Sequence, residues 1–214
     1  MPGGLIFDLD GTLVDSLQGI AASLNRAVAA LGLPPHPVAK VRGFVGDGAR
    51  VLCQRALGGT GTHVEVDSLE AAFKADYALT WREGTTVFAG IPELLRELAA
   101  AGHFLAVLSN KPHPFTEEIV ALLFPDIPFG RVLGQHPGLP CKPDPAGALE
   151  IAAGAGLPPE RFTVIGDSTM DLETAARANM RSIAVTWGYQ DVRVLTGADA
   201  VAADVAALER LLAV

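Results

Sequence analysis

Two aspartates one residue apart, Asp8 and Asp10, come straight after the apolar run Gly4-Leu5-Ile6-Phe7 and are followed by Gly11 and Thr12. The stretch from Gly4 to Asp8 reads as a buried strand, which puts the acids at its carboxyl end, where open α/β sheets bind their ligands. Along an extended chain the two side chains would point to opposite sides, but Gly11 permits the sharp turn that brings both toward one bound group. Carboxylates held this close repel one another unless positive charge lies between them, and a hard divalent cation with oxygen ligands is the simplest source of it. Taken alone, an Asp-x-Asp pair reads more readily as a turn or a helix cap. Three later segments change that reading.

Ser109-Asn110-Lys111 follows the strand-like Phe104–Leu108 and offers a hydroxyl and an amide at what reads as a helix start. Such a position favours a phosphate, although a plain Ser109 helix cap is an equally good account. Lys142-Pro143-Asp144-Pro145 sets a lysine just ahead of a helix, with prolines fixing its approach; a surface lysine would look the same. Gly166-Asp167-Ser168-Thr169-Met170-Asp171 follows the strand Phe162–Ile165 and adds acids at the strand's end and in the first helical turn. Asp167 can then reach a metal held by Asp8 and Asp10, while Asp171 would also suit the helix dipole. Acid pair, hydroxyl, lysine and acid pair thus fall in order along one edge of the predicted sheet.

That sheet is implied by the rhythm of the chain. From Gly90 onward helical and strand-like runs alternate: Pro92–Ala101, Phe104–Leu108, Phe115–Leu123, Arg131–Gly134, Pro145–Ala155, Phe162–Ile165, Leu172–Asn179, Ser182–Thr186, and a last helix near Val205–Leu212. The alternation predicts an α/β fold, a Rossmann-like parallel sheet with helices on both faces. Between Ser16 and Arg82 only helical patterns occur, Leu17–Leu31, Ala49–Leu57 and Leu69–Trp81, with Gly58-Gly59-Thr60-Gly61 as a loop between them. The expected organisation is a core domain, residues 1–15 and 83–214, interrupted by an all-helical cap domain, 16–82.

The formal net charge of -8 and the lack of a basic stripe argue against a nucleic-acid partner. No apolar stretch approaches the ~20 residues of a membrane span, and Met1-Pro2-Gly3-Gly4 does not open a secretory signal. A soluble cytoplasmic protein, monomer or homodimer, is expected. Cys53 and Cys141 are expected as reduced bystanders, and His36, His63, His103, His113 and His136 as scattered loop or surface residues.

The run Asp8-x-Asp10-x-Thr12-Leu13-Val14-Asp15-Ser16, with the three later segments in order and a helical insertion after the first, resembles the haloacid dehalogenase superfamily over nearly the whole chain. Val107-Leu108-Ser109-Asn110-Lys111-Pro112, Lys142-Pro143-Asp144-Pro145 and Trp187-Gly188-Tyr189 look most like its phosphoglycolate phosphatases. Met170 and Asn179 depart from the pattern, the latter standing where a glycine is common; Asn also adopts the left-handed conformation.

The resemblance implies an Mg2+-dependent phosphatase acting on a small phosphorylated metabolite such as 2-phosphoglycolate. Asp8 would be the nucleophile, Asp10 the general acid and base, and Thr12 an orienting group. Ser109 and Asn110 would donate to the phosphoryl oxygens, and Lys142 would supply fixed charge. Asp8, the backbone carbonyl of Asp10, and Asp167 would hold the metal, with Asp171 supporting it through water or by positioning Lys142. All these ligands are oxygens, which suits Mg2+ over zinc. A phosphosugar mutase, a metal-free dehalogenase and a non-catalytic phosphate-binding module are the alternatives, the dehalogenase disfavoured by Asp10 and Asp167.

In the cap, Arg42-Gly43-Phe44-Val45-Gly46-Asp47-Gly48-Ala49-Arg50 reads either as an ordinary interhelical turn or as a substrate-facing loop. In the second case Gly46, Gly48 and Arg50 or Arg42 would meet the non-phosphate end of the substrate.

Overall fold

The computed structural model describes residues 2–212. Strand β1 (Gly4–Phe7) is followed by the two-residue β2 (Val14–Asp15) and by four helices, α1 (Leu17–Ala30), α2 (Val38–Arg42), α3 (Ala49–Ala56) and α4 (His63–Thr80). The chain returns through β3 (Thr86–Val87), antiparallel to β2. It then runs α5 (Ile91–Ala100), β4 (Phe104–Pro112), α6 (His113–Leu123), β5 (Phe129–Gln135), α7 (Ala146–Ala155), β6 (Phe162–Gly166), α8 (Thr169–Arg177), β7 (Arg181–Val185), β8 (Ala200–Ala202) and α9 (Val205–Leu212). Six strands make one parallel sheet in the order β5-β4-β1-β6-β7-β8.

All four residues of β1 are buried, as a central parallel strand covered on both faces requires. Leu5 and Phe7 join Leu105, Val107 and Ile165 in a core that α5, α6 and α9 close, and which continues into the helical insertion through Leu24, Leu69 and Trp81. Ile6 points the other way, to Ala106, Leu108 and Val164 beneath α7 and α8. Gly4 lets β6 pack here, because a Cβ in its place would lie 1.9 Å from the Phe162 ring. With β1 between β4 and β6, the chemical segments that follow these three strands converge at one sheet edge.

Several boundaries differ from the sequence expectation. Helix α4 starts at His63 rather than Leu69, because Thr62 and Glu65 form a capping box that holds the extra turns. Helix α2 and strands β2, β3 and β8 were not anticipated; none exceeds five residues, too short for a periodic pattern to show. Most consequential is β4, which runs on to Pro112. Ser109, Asn110 and Lys111 therefore extend a strand and do not begin a helix, and Ser109 is not a helix cap; α6 starts only after Pro112. Asn179 takes the left-handed conformation its position called for, φ 56°. The thiols of Cys53 and Cys141 are unpaired, and burial pushes Cys53 up to about 12. His113 and His136, expected as scattered residues, are ring neighbours with centroids 5.4 Å apart.

Candidate active site

Asp8 leaves β1 at the centre of the sheet, and its backbone N–H still donates to Ile165. Its carboxylate is buried, accepts from the backbone of Leu9 at 2.7 Å and lies 2.9 Å from Lys142 Nζ. Lys142 reaches on to Asp171 Oδ1 at 2.6 Å. The other Asp171 oxygen accepts from the backbone and hydroxyl of Ser168, closing the first turn of α8. Burial alone would depress the Lys142 ammonium, but Asp171 and Asp8 overcome it and hold the group above the ordinary lysine value.

Asp167 completes the cluster. Oxygens of Asp8, Asp167 and Asp171 lie within 4.8 Å of one another. Thr12 Oγ1 donates to Asp167 at 3.3 Å and the Tyr189 backbone N–H at 2.6 Å. Gly11, at φ 84°, makes the turn that admits this carboxylate, since a Cβ there would lie 2.5 Å from Asp167 Oδ2. Burial pushes the Asp8 carboxyl up to about 6 against the pull of Lys142. Burial, with Asp8 and Asp171 adding to it, pushes Asp167 up to about 8. Three buried acids facing one ammonium are short of positive charge, and their all-oxygen donor set could hold a hard divalent cation.

Asp10 turns elsewhere. Its carboxylate accepts from Ser16 Oγ at 2.5 Å and from Lys111 Nζ, 3.1 Å from each oxygen. The Asp10 side chain is thus outside the acid cluster, and only its backbone carbonyl is left as a candidate ligand. Lys111 is buried, with its ammonium 4.6 Å from the Tyr77 ring centroid. Ser109, Asn110 and Lys111 all line the pocket, where the pairing of β4 with β5 is irregular.

Of the expected substrate contacts, Gly46 and Gly48 line the same pocket as Asp8, Asp10 and Ser109. Asn110 is engaged differently from expectation. Its amide donates to the carbonyls of Gly46 and Lys142 and accepts from the Lys142 N–H at 2.7 Å. It ties three segments together at the wall of the pocket.

Arg50 faces away, paired with Asp67 at 2.6 Å and Glu70 at 3.3 Å on the helical insertion. The arginine that shapes the turn is Arg55, bound to Asp47 and to the Phe44 carbonyl. Arg42 crosses to the loop after β7, donating to the Tyr189 and Gly188 carbonyls at 2.7 Å each. That loop also brings the Tyr189 hydroxyl to the Ser16 N–H and to Asp15, and Trp187 Nε1 to the Thr12 carbonyl. These long-range contacts had no local signal in the chain.

No helix among the described residues is long and apolar enough to cross a membrane. A family model for haloacid dehalogenase-like hydrolases matches residues 5–185. A phosphoglycolate phosphatase of Pectobacterium atrosepticum is 36% identical over 189 residues, 87% of this chain and 81% of the relative. One of Psychrobacter arcticus is 35% identical over 207 residues, covering 92% and 90%. A crystal structure from Lactobacillus delbrueckii subsp. bulgaricus, provisionally assigned as a phosphoglycolate phosphatase, superposes with a TM-score of 0.93 at 32% identity, over 98% of each chain. With the acid cluster at the carboxyl edge of a six-stranded parallel sheet, the match shows that this chain belongs to the haloacid dehalogenase-like hydrolases.

Proposed function

We propose that the protein is a Mg2+-dependent phosphatase that hydrolyses a short phosphate monoester, 2-phosphoglycolate being the substrate its relatives suggest, through a phosphorylated Asp8. The observation that carries this reading is the pairing of buried Asp8 with Lys142 at 2.9 Å beside Asp167. A buried carboxylate held next to fixed positive charge can accept a phosphoryl group whose own charge would otherwise repel it.

In the first step an Asp8 oxygen bonds to phosphorus and the ester P–O bond breaks, its electron pair going to the leaving oxygen, which takes a proton from Asp10. In the second step water attacks the same phosphorus. Asp10 takes its proton, the Asp8–phosphorus bond breaks, and inorganic phosphate leaves with Asp8 restored. Lys142 holds Asp8 in line, Ser109 receives phosphoryl oxygens, and Thr12 with the Tyr189 N–H fixes Asp167. Asp8, Asp167 and the Asp10 backbone carbonyl would hold Mg2+, with Asp171 acting through Lys142. The cation when bound supplies charge neutralisation for the phosphoryl oxygens.

Residues 16–82 act as a cap over this site, and Arg42 is one of its ties to the core, beside the bond from Asn110 to Gly46. Purified protein should release inorganic phosphate from 2-phosphoglycolate with Mg2+, lose activity in excess chelator and not recover it with Ca2+. Release of an isomerised phosphate ester in place of phosphate would instead indicate a mutase.

Because Arg42 grips the carbonyls of Gly188 and Tyr189, and the Tyr189 N–H in turn holds Asp167, its role is to hold the cap and not to read the substrate. Arg42→Ala should raise KM roughly tenfold for acidic and neutral phosphate esters alike, since Arg42 is exposed and solvent screens its two hydrogen bonds to a fraction of what buried ones contribute. A loss confined to acidic esters would place the guanidinium on the substrate.

A further inference from the structure

We propose that Lys111 determines specificity at this site by receiving an anionic group that the leaving alcohol carries next to the ester oxygen. The substrate class is then a short phospho-acid. The inference deepens the phosphatase reading above and rests on it.

Three observations converge on Lys111. Among the described residues that line the pocket it is the one cation, in walls made apolar by Leu52 and Phe73 of the cap and Phe115 of α6. Lys142 lies deeper, between Asp8 and Asp171. An ammonium has three donors, yet among the described residues the acceptor of Lys111 Nζ is Asp10 alone, at 3.1 Å from each oxygen. Beside it, the buried Tyr77 hydroxyl has no hydrogen-bond partner. The ammonium lies 4.6 Å from the Tyr77 ring centroid, so β4 supplies the cation and α4 the aromatic wall beside it.

The position relative to Asp10 sets the kind of group that fits. In the mechanism above, Asp10 must stand within hydrogen-bond distance of the ester oxygen, and Lys111 stands beside Asp10. A carboxylate on the carbon next to that oxygen comes within reach of Nζ. On a longer chain the anion would be carried past Lys111 toward Phe73 and Phe115. A neutral alcohol would cover the ammonium further without adding a charged acceptor, which is costly in a desolvated pocket.

The test compares 2-phosphoglycolate with 2-hydroxyethyl phosphate, a neutral leaving group of the same length, in wild type, Lys111→Met and Lys111→Arg. Lys111→Met should lower kcat/KM for 2-phosphoglycolate at least about thirtyfold more than for the neutral ester, the scale of one charge-assisted hydrogen bond; Lys111→Arg should keep most of the preference. Should Lys111→Met fail to fold, Lys111→Gln removes the charge while keeping a donor. Calorimetric binding of the two esters to Asp8→Asn protein, with and without the Lys111 substitution, repeats the comparison without turnover. Equal losses on both esters, in rate and in binding, would overturn the proposal and leave Lys111 as a support for Asp10. A wild-type protein that hydrolyses neither ester would sink the phosphatase reading, and the binding comparison would still decide on Lys111.

Discussion

Asp8→Asn should abolish turnover, by roughly 10⁴-fold or more, as removal of a covalent nucleophile does, while making the metal-free protein more stable at alkaline pH. An amide cannot attack phosphorus, and its shape nearly matches the carboxylate it replaces, so the packing of β1 is kept. The stability gain follows from the cluster. Burial raises Asp8 to about 6 from its ordinary 3.8, so the folded state holds this proton more tightly than the unfolded chain does. The group's contribution is fully present below pH ~4 and is lost as pH rises through about 6. Above that range wild type carries a buried charge next to Asp167 and Asp171, which Asn does not. Metal-free Asp8→Asn should therefore melt several degrees above wild type at pH 8, each ~1 kcal/mol being worth about 2–4 °C in a protein of this size, and close to wild type near pH 4. Phosphate release by the purified variant would sink the nucleophile assignment. A variant less stable than wild type at pH 8 would show that the Asp8 charge is not a burden on the fold.

Asp8 and Asp167 were legible in the chain because each stands just past an apolar strand, and Lys142 and Asp171 because they stand at the starts of helices that follow strands, positions a parallel sheet collects at one edge. Asp8, Lys142, Asp167 and Asp171 are brought together in this way. What lies across the pocket was not legible. Arg42 reaches residues 146 and 147 positions away, and nothing near Arg42 in sequence distinguishes it from Arg50, which faces Asp67 and Glu70 instead.

The hydrogen bonds that Asn110 makes were not legible for a related reason. An amide beside a hydroxyl suggests a phosphate, but β4 continues through it. Its side chain is then level with the Lys142 backbone and the Gly46 carbonyl, which take it. The alternation of strands and helices was recovered from periodicity, whereas β8, three residues long, owes its pairing to β7 more than to its own sequence.

Lys142→Met is expected to be damaging in both activity and stability, and the pH dependence separates the two. The ammonium is buried with carboxylates at 2.9 and 2.6 Å, so methionine fills similar volume but leaves Asp8, Asp167 and Asp171 facing one another with no cation. Removing one partner of a buried ion pair costs about 3–5 kcal/mol, and loss of a fixed charge at the phosphoryl site costs roughly 10²–10³ in kcat. Because Asp171 and Asp8 hold the lysine above its ordinary value, its stabilising contribution is complete throughout the neutral range and falls only at more alkaline pH. The pH dependence of the variant thus comes from the acids. Near pH 5 the raised carboxyls of Asp8 and Asp167 keep their protons, at about 6 and about 8 even with Lys142 present, and the missing cation matters least. By pH 8 Asp8, and in part Asp167, give up their protons in wild type with Lys142 to balance the charge, whereas in the variant each must ionise uncompensated or hold its proton against the solution. The gap in Tm between metal-free wild type and Lys142→Met should consequently widen from pH 5 to pH 8, and saturating Mg2+ should narrow it without restoring kcat. Lys142→Arg should not rescue either property, since a planar guanidinium does not fit between two carboxylates spaced for a single nitrogen. A gap independent of pH would mean that Lys142 stabilises the fold by packing alone, and a variant with near wild-type kcat would remove the lysine from the phosphoryl site.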